Sequence, residues 1–450
     1  MLRIVSLQLI RTRSIFVFLA LCVITMILDS VIISVYLYYD EPDTSVSTYI
    51  FTAFVILFVI VNQIFFVISR RNLKSLDHGF SGLFKLINIF MISIQGILAS
   101  VLFFSTFSIL FYNFYYLFLI SFAVNICLLF SISLIFLTSY YFFRWYKSNK
   151  SYTVLSYAVG FALIILGLIN SSVYLNYNFS HHDQTLRIKH ITTQIIEYSN
   201  YSSDYGIQLN LLTDFNSYMS IISFISIWIP TLILLKSYSL RFGRIKFWFL
   251  VSLPLLYFIL PFIMDKLNML DFLLVSYNKQ SILVYSLIFS PSKQVGGFLF
   301  GMIFLIMARK IRRKPVRLFI NFTGMGISLL FGSTVLYGLP YIVSPPFGII
   351  TLLFINLASY MLFLGLYVSV KELSRDQKIY RELYKLKQEF AIIKNLSKAE
   401  MERTLSKKIG LILNKPDIKA NSIVPVEENF SDYKEWVSEV MEAVRRKDKI

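Results

Sequence analysis

With 450 residues, 56% of them hydrophobic and 15% charged, and a mean hydropathy of +0.66, the chain falls outside every soluble globular class. Its net charge of +18 is sorted by loop rather than gathered into one patch, so no nucleic-acid partner is expected. Cys22 and Cys127 are its only cysteines, and both lie inside apolar runs, which excludes a disulfide framework and a cysteine metal site.

Backbone N–H and C=O groups find no water inside a bilayer, so only helical bundles and closed barrels span one. The apolar runs here are about 20 residues long and do not alternate with period two, which selects helices. The predicted fold is an all-α polytopic membrane protein, with residues 1–370 as the bundle and residues 371–450 as a helical tail. Ten spans are predicted near 14–38, 48–69, 86–110, 116–142, 153–175, 217–235, 247–264, 292–308, 318–337 and 347–370. The start, MLRIVSLQLIRTRSIFVF, has the basic flank of a signal peptide. Its apolar core runs on to Tyr38 without a small-residue cleavage pattern, so it is expected to stay as the first span.

Asp29 stands near the middle of that first run, where a carboxylate costs about 2.5–3.5 kcal/mol on insertion scales. Two roles are open to it: a hydrogen-bonded group facing the bundle, helped by Ser30 and an amide elsewhere, or part of a polar path. Asn62, Gln63, Asn88, Gln95, Asn125, Asn170, Asn321 and Asn356 are scattered over the spans, as interhelical hydrogen-bond partners would be.

The loops sort sharply by charge. On one side lie Arg3, Arg11, Arg13, Arg70, Arg71, Lys74, Lys85, Arg144, Lys147, Lys150, Lys236, Arg241, Arg244, Lys246, Arg309, Lys310, Arg312, Arg313, Lys314 and Arg317, against Asp77 alone. The other side has Arg187, Lys189, Lys266, Lys279 and Lys293 among a larger number of acids, including the Asp40-Glu41-Pro42-Asp43 turn. The bias predicts a plasma-membrane protein with both termini cytoplasmic, its basic loops drawn to anionic lipid headgroups. Pro230, Pro254, Pro261, Pro291 and Pro340 lie in or near spans of the second half, while the first half has no proline inside a span. That asymmetry argues against a 5+5 inverted repeat.

The long outer loop, 176–216, carries Leu186, Ile188, Ile191, Ile195 and Tyr198 at near-helical spacing, which predicts a short amphipathic helix. Asn178-Phe179-Ser180 and Asn200-Tyr201-Ser202 are sequons, making Asn178 and Asn200 candidate glycosylation sites. His181, His182 and His190 lack the spacing of a helical zinc site, so no metal is expected. Pro254 and Pro261 lie on one face of the seventh span and are expected to kink it. In Ile288–Phe298, Lys293 has two readings: the ligand-facing cation of a broken helix, or a snorkelling side chain on a helix begun by Pro291 and capped by Ser290. With Asp29 it forms the candidate intramembrane polar site. Gly338–Gly348 is expected to be a proline-stiffened turn on the same side.

In the tail, Ile379, Leu383, Leu386, Phe390 and Ile393 follow 4-3-4-3 spacing, a seam of only two heptads. Ser397-Lys398-Ala399-Glu400 reads as a capping box opening a second helix, with Met401, Leu405, Ile409 and Ile412 on one face. A third helix carries Trp436. Their apolar faces need a partner: each other, a second copy, the membrane surface or a cytoplasmic protein. The last-span exit ASYMLFLGLYVSVKELSRDQKIYREL, with AEMERTLSKKI and SDYKEWVSEVMEAV, resembles uncharacterised multi-spanning membrane proteins of ammonia-oxidising archaea. The resemblance implies an archaeal cell membrane and a short helical tail, and no activity. The tail also looks like the linker after a sensor-kinase membrane domain, but no kinase core follows and no His lies after His190.

The chain has no GxxxxGK[ST], HExxH, GxSxG or GxGxxG, so no catalytic or cofactor-binding residues are expected. A sensor, signal relay or scaffold with a docking tail is the first functional expectation. A secondary transporter with a path near Asp29 is the alternative, and a membrane-embedded enzyme is third.

Overall fold

The computed structural model describes residues 18–29, 31–32, 44–73, 82–112, 114–180, 185–187, 203–236, 243–267, 284, 288–289, 291–311, 314–333, 346–375, 392–393 and 395–403. Among them, ten helices coincide with the ten predicted runs. They are α1 (Phe18–Asp29), α2 (Thr44–Leu73), α3 (Gly82–Tyr112), α4 (Leu117–Asn149) and α5 (Tyr152–Ser180), then α6 (Ser203–Leu235), α7 (Arg244–Lys266), α8 (Ser292–Lys310), α9 (Lys314–Ser333) and α10 (Ile349–Arg375). Among the described residues, eight are long and apolar enough to cross a bilayer; the described part of α1 is shorter, and α8 opens with Ser292, Lys293 and Gln294. The chain is an all-α polytopic membrane protein.

Helix limits depart from the apolar runs where polar residues extend a helix beyond its greasy stretch. α4 continues to Asn149, and α6 starts at Ser203 rather than near 217, so the outer loop is much shorter than predicted. Of the amphipathic helix expected in that loop, Ile188, Ile191, Ile195 and Tyr198 lie outside the described residues, and only Leu186 can be placed. Leu186 lies in a strand, β2 (Thr185–Arg187), which pairs antiparallel with β1 (Phe114–Tyr116) and sets Leu186 opposite Tyr115. Pro254 and Pro261 both lie inside α7, and Pro230 inside α6.

Burial is graded across the bundle. Every residue of α10 from Ile349 to Leu366 is buried, as is every residue of α9 from Leu318 to Ser333. At the periphery, Phe103 on α3 and Leu256 on α7 are 72% and 62% exposed. Apolar side chains left outside a bundle of this composition are covered by lipid tails, so burial here measures protein packing rather than escape from water.

Because lipid is as apolar as the interior, the inner helices associate through close backbone approach and hydrogen bonds. Gly301 of α8 and Gly324 of α9 lie back to back, and a Cβ on either would run into the other's carbonyl oxygen. On the opposite face of α9, Gly326 abuts the backbone of Leu362 and Ala358, while Gly365 of α10 abuts Phe319 and Thr323. α9 is thus clasped on both sides by glycine contacts.

The middle helices use polar links instead. Ser139 Oγ donates to Ala158 O (2.9 Å), Ser156 Oγ to Ser226 O (2.5 Å), Asn170 Nδ2 to Leu212 O (2.8 Å) and Trp228 Nε1 to Val251 O (2.9 Å). Asn125 and Asn176 bond each other's amides, and Ser172 Oγ also donates to Asn125 Oδ1 (2.8 Å). A third device joins α2 to α10. Phe51, Phe58 and Phe65, spaced by seven, meet Phe347, Phe354 and Tyr360 edge to face, with ring centroids 5.8, 5.2 and 5.9 Å apart.

Replacing Gly301 with Leu is expected to force α8 off α9 and to lower stability by about 1–3 kcal/mol, an overpacking cost. Thermal unfolding in detergent checks this, with Gly96→Leu as the control, since a Cβ at Gly96 meets nothing within 4 Å.

Candidate functional site

Helix α10 starts inside the protein. The residue before it, Gly348, has φ +86°, a left-handed conformation that favours glycine, and offers no side chain to cap the first turn. Asp29 of α1 does so from another helix. One carboxylate oxygen accepts from the Gly348 N–H at 2.8 Å; the other accepts from the Thr351 N–H at 2.9 Å and the Thr351 hydroxyl at 2.7 Å. Asp29 and Thr351 are both fully buried. The carboxylate also faces the positive end of the helix dipole, so a costly intramembrane acid is repaid by groups that would otherwise stay unbonded.

This geometry revises the expected surroundings of Asp29. Its partners are the Thr351 hydroxyl and the backbone amides of Gly348 and Thr351, while Ser30 lies outside the described residues. Lys293 is corrected as well: it does not snorkel outward but is only 8% exposed, in the first turn of α8. Helix α8 begins at Ser292, with Pro291 at its cap position rather than as its first helical residue. Gln294, next to Lys293, lies against Gly332 at the end of α9, whose other neighbour is Met26 of α1. The start of α8, the end of α9 and the helix that carries Asp29 therefore converge at one end of the bundle.

At the opposite end, where the last turns of α4 carry Arg144 and Lys147, and Lys150 follows, the tail docks onto the bundle. Residues 395–403 are helical. Trp145 Nε1 donates to Glu400 Oε2 (3.2 Å), Ser148 Oγ to Glu402 Oε2 (3.1 Å) and Asn395 Nδ2 to Ser151 Oγ (3.2 Å). Arg403 pairs with Glu400 at 3.3 Å. Beneath these polar ties, Ile392, Ile393, Leu396 and Ala399 are buried in the main hydrophobic cluster. Trp145 stacks near Tyr141, Tyr141 meets Tyr367 of α10 with centroids 5.0 Å apart, and Lys371 Nζ lies 5.6 Å over the Tyr367 ring.

Two expectations about the tail change accordingly. Ser397 does not open a helix: Asn395 and Leu396 before it are already helical, and Ser397 is buried within the turn. Ile393 packs into the bundle's own core. Ile379, Leu383, Leu386, Phe390 and Trp436 lie outside the described residues, as does Asn200. Asn178 falls in the last turn of α5.

The polar spans divide unevenly. Asn88 accepts from the Tyr360 hydroxyl at 2.9 Å, and Asn125 and Asn170 bond across helices as predicted. Asn62 donates within its own helix, to Phe58 O. Among the described residues, the buried side-chain atoms with no hydrogen-bond partner are Asn62 Oδ1, Gln95 Nε2 and Oε1, Ser105 Oγ, and Asn356 Nδ2 and Oδ1. No cluster of three or more His, Cys, Asp or Glu stands together among the described residues.

Nothing among protein-family models, curated proteins or solved structures matches this chain. The arrangement binds helix ends together: a carboxylate clamp on one end of α10 and an aromatic and ionic clamp near the other.

Asp29→Ala leaves two amides unbonded, the Thr351 hydroxyl keeping only Met26 O at 3.3 Å, and is expected to cost about 3 kcal/mol, while Asp29→Asn keeps an acceptor and costs about half as much. Thermal unfolding of the two variants checks the order. Trp145→Phe removes the indole donor to Glu400 and is expected to speed proteolytic cleavage in the tail with little change in the unfolding temperature of the bundle; limited proteolysis followed by mass mapping reads this.

Proposed function

We propose that the chain is a signal relay or scaffold of the cell membrane, with both termini in the cytoplasm and the docked tail as its output or docking module. The observation that carries this reading is that α10 is encased along its length and tied at both ends. At 1.5 Å per residue its 27 residues span about 40 Å, enough to reach across a bilayer. One end is held by Asp29, where the starts of α8 and α10 meet α1 and the end of α9. The other lies beside Tyr141 and Trp145, which hold the tail through Glu400. A buried rod cannot tilt or rotate without disturbing the contacts at its ends, so a ligand acting at the Asp29 end would change how firmly the tail is held.

The positive-inside bias supports the orientation, and the basic loops favour anionic headgroups. Residues 371–450 would engage a cytoplasmic protein or a second copy of the chain, the short 379–393 seam being one such surface. The likeness of the tail to archaeal membrane proteins agrees with an archaeal cell membrane as its setting. A transport path along Asp29 draws less support, because three donors already engage its carboxylate.

A relay predicts coupling between the two ends. In a Ser148→Cys, Glu402→Cys chain, a short bifunctional thiol reagent should cross-link tail to bundle. Adding Asp29→Asn should lower the cross-linking yield at equal folded fraction. An unchanged yield would count against the relay and leave a static scaffold.

A further inference from the structure

Polar side chains between helices are treated differently in two sectors of this bundle. On α4, α5, α6 and α7, amides, hydroxyls and indoles are bonded across helices: Asn125 with Asn176, Asn170 with Leu212 O, Ser156 with Ser226 O, Trp228 with Val251 O. Among the described residues, the buried side-chain atoms without a partner all belong to α2, α3 and α10. These three helices are neighbours. Phe58 and Phe65 of α2 meet Phe354 and Tyr360 of α10, and the Tyr360 hydroxyl reaches Asn88 of α3.

Those contacts fix the depth of the amides. Asn62 lies between Phe58 and Phe65, and Asn356 between Phe354 and Tyr360, so the two share one level. Gln95 lies two helical turns along α3 from Asn88, on the buried stripe that also contains Met91 and Leu98. Asn88 marks the level of Tyr360, and α3 enters the bundle from the opposite end to α10, so Gln95 comes within about two turns of Asn356. Asn356 is fully buried, Gln95 4% exposed and Asn62 5% exposed.

An amide buried without a partner costs about 1–3 kcal/mol, and native structures meet such groups with protein or with internal water. Neutral amides that both donate and accept suit an uncharged guest that does the same. Among the described residues no ionisable side chain is left unpartnered there, which disfavours an ion. We propose that the face shared by α2, α3 and α10 is an internal hydration site, in which water is bound by the amides of Gln95 and Asn356 and by Asn62 Oδ1. The site does not depend on the relay: it rests on the paired and unpaired polar atoms alone, and its test has a separate readout.

X-ray radiolysis of the full-length protein in H₂¹⁸O buffer tests it. Hydroxyl radicals formed from bound water oxidise only side chains beside that water. Met91, fully buried and one turn from Gln95, is the reporter; Met307 and Met325, equally buried on α8 and α9, are the controls. Met91 should take up oxygen several-fold faster than either control in the unmutated protein, and Gln95→Leu and Asn356→Leu should each slow that uptake. Labelling of Met91 no faster than Met307 would overturn the site, a result that needs no variant to fold. Fast labelling that survives both substitutions would overturn it as well, because the water would not be held by these amides.

Discussion

A helix that begins inside a membrane protein starts with N–H groups that neither water nor lipid can bond, and α10 begins that way with a glycine at its cap. The rest of the structure is arranged around the remedy. Asp29 supplies the missing acceptor from the far end of the sequence, which joins the first helix to the last and fixes where α10 enters the bundle. The same contact explains why an acid is tolerated in an apolar run. Its carboxyl group meets three donors and the positive end of a helix dipole.

With its start fixed, α10 can be enclosed. Glycine contacts bring α8, α9 and α10 together at backbone distance, an aromatic ladder seats α2 alongside, and aromatic rings of α4 meet α10 at its other end. Close packing makes the inner helices stiff, since a core at this density shifts between discrete arrangements rather than deforming smoothly. The sector between α2, α3 and α10 differs in retaining unpaired amides, and hydration there would give α10 one softer flank. The tail, held through Glu400, Glu402 and Asn395, sits where movement of the stiff flank would reach it.

Much of this was legible from hydropathy. All ten apolar runs became helices, because about twenty apolar residues without alternation permit little else. The limits were less legible, since a helix does not stop where lipid does: polar residues carry α4 to Asn149, and α6 starts at Ser203. Leu186 lies in a strand rather than a helix because its partner, Tyr115 of β1, is about seventy residues away and leaves no local signature. Asp29 could be singled out by its cost but not matched to Thr351, since partners more than three hundred residues apart have no local signature. Lys293 looked like a surface lysine because the sequence does not reveal that Gln294 beside it meets α9. The heptad phenylalanines of α2 were visible in principle, as Phe51, Phe58 and Phe65 repeat every seven residues opposite Phe347 and Phe354. In the tail, spacing alone favoured a seam through Phe390 and Ile393, whereas the bundle offers Ile393 a closer apolar surface.

The central claim is that the two ends of α10 are mechanically joined, and hydrogen–deuterium exchange of the intact protein addresses it most directly. Opening the Asp29 clamp with Thr351→Ala should raise amide exchange in the first turn of α10 and, in the same sample, across residues 395–403. Faster exchange confined to residues near Gly348 and Thr351, with 395–403 protected as before, would contradict it.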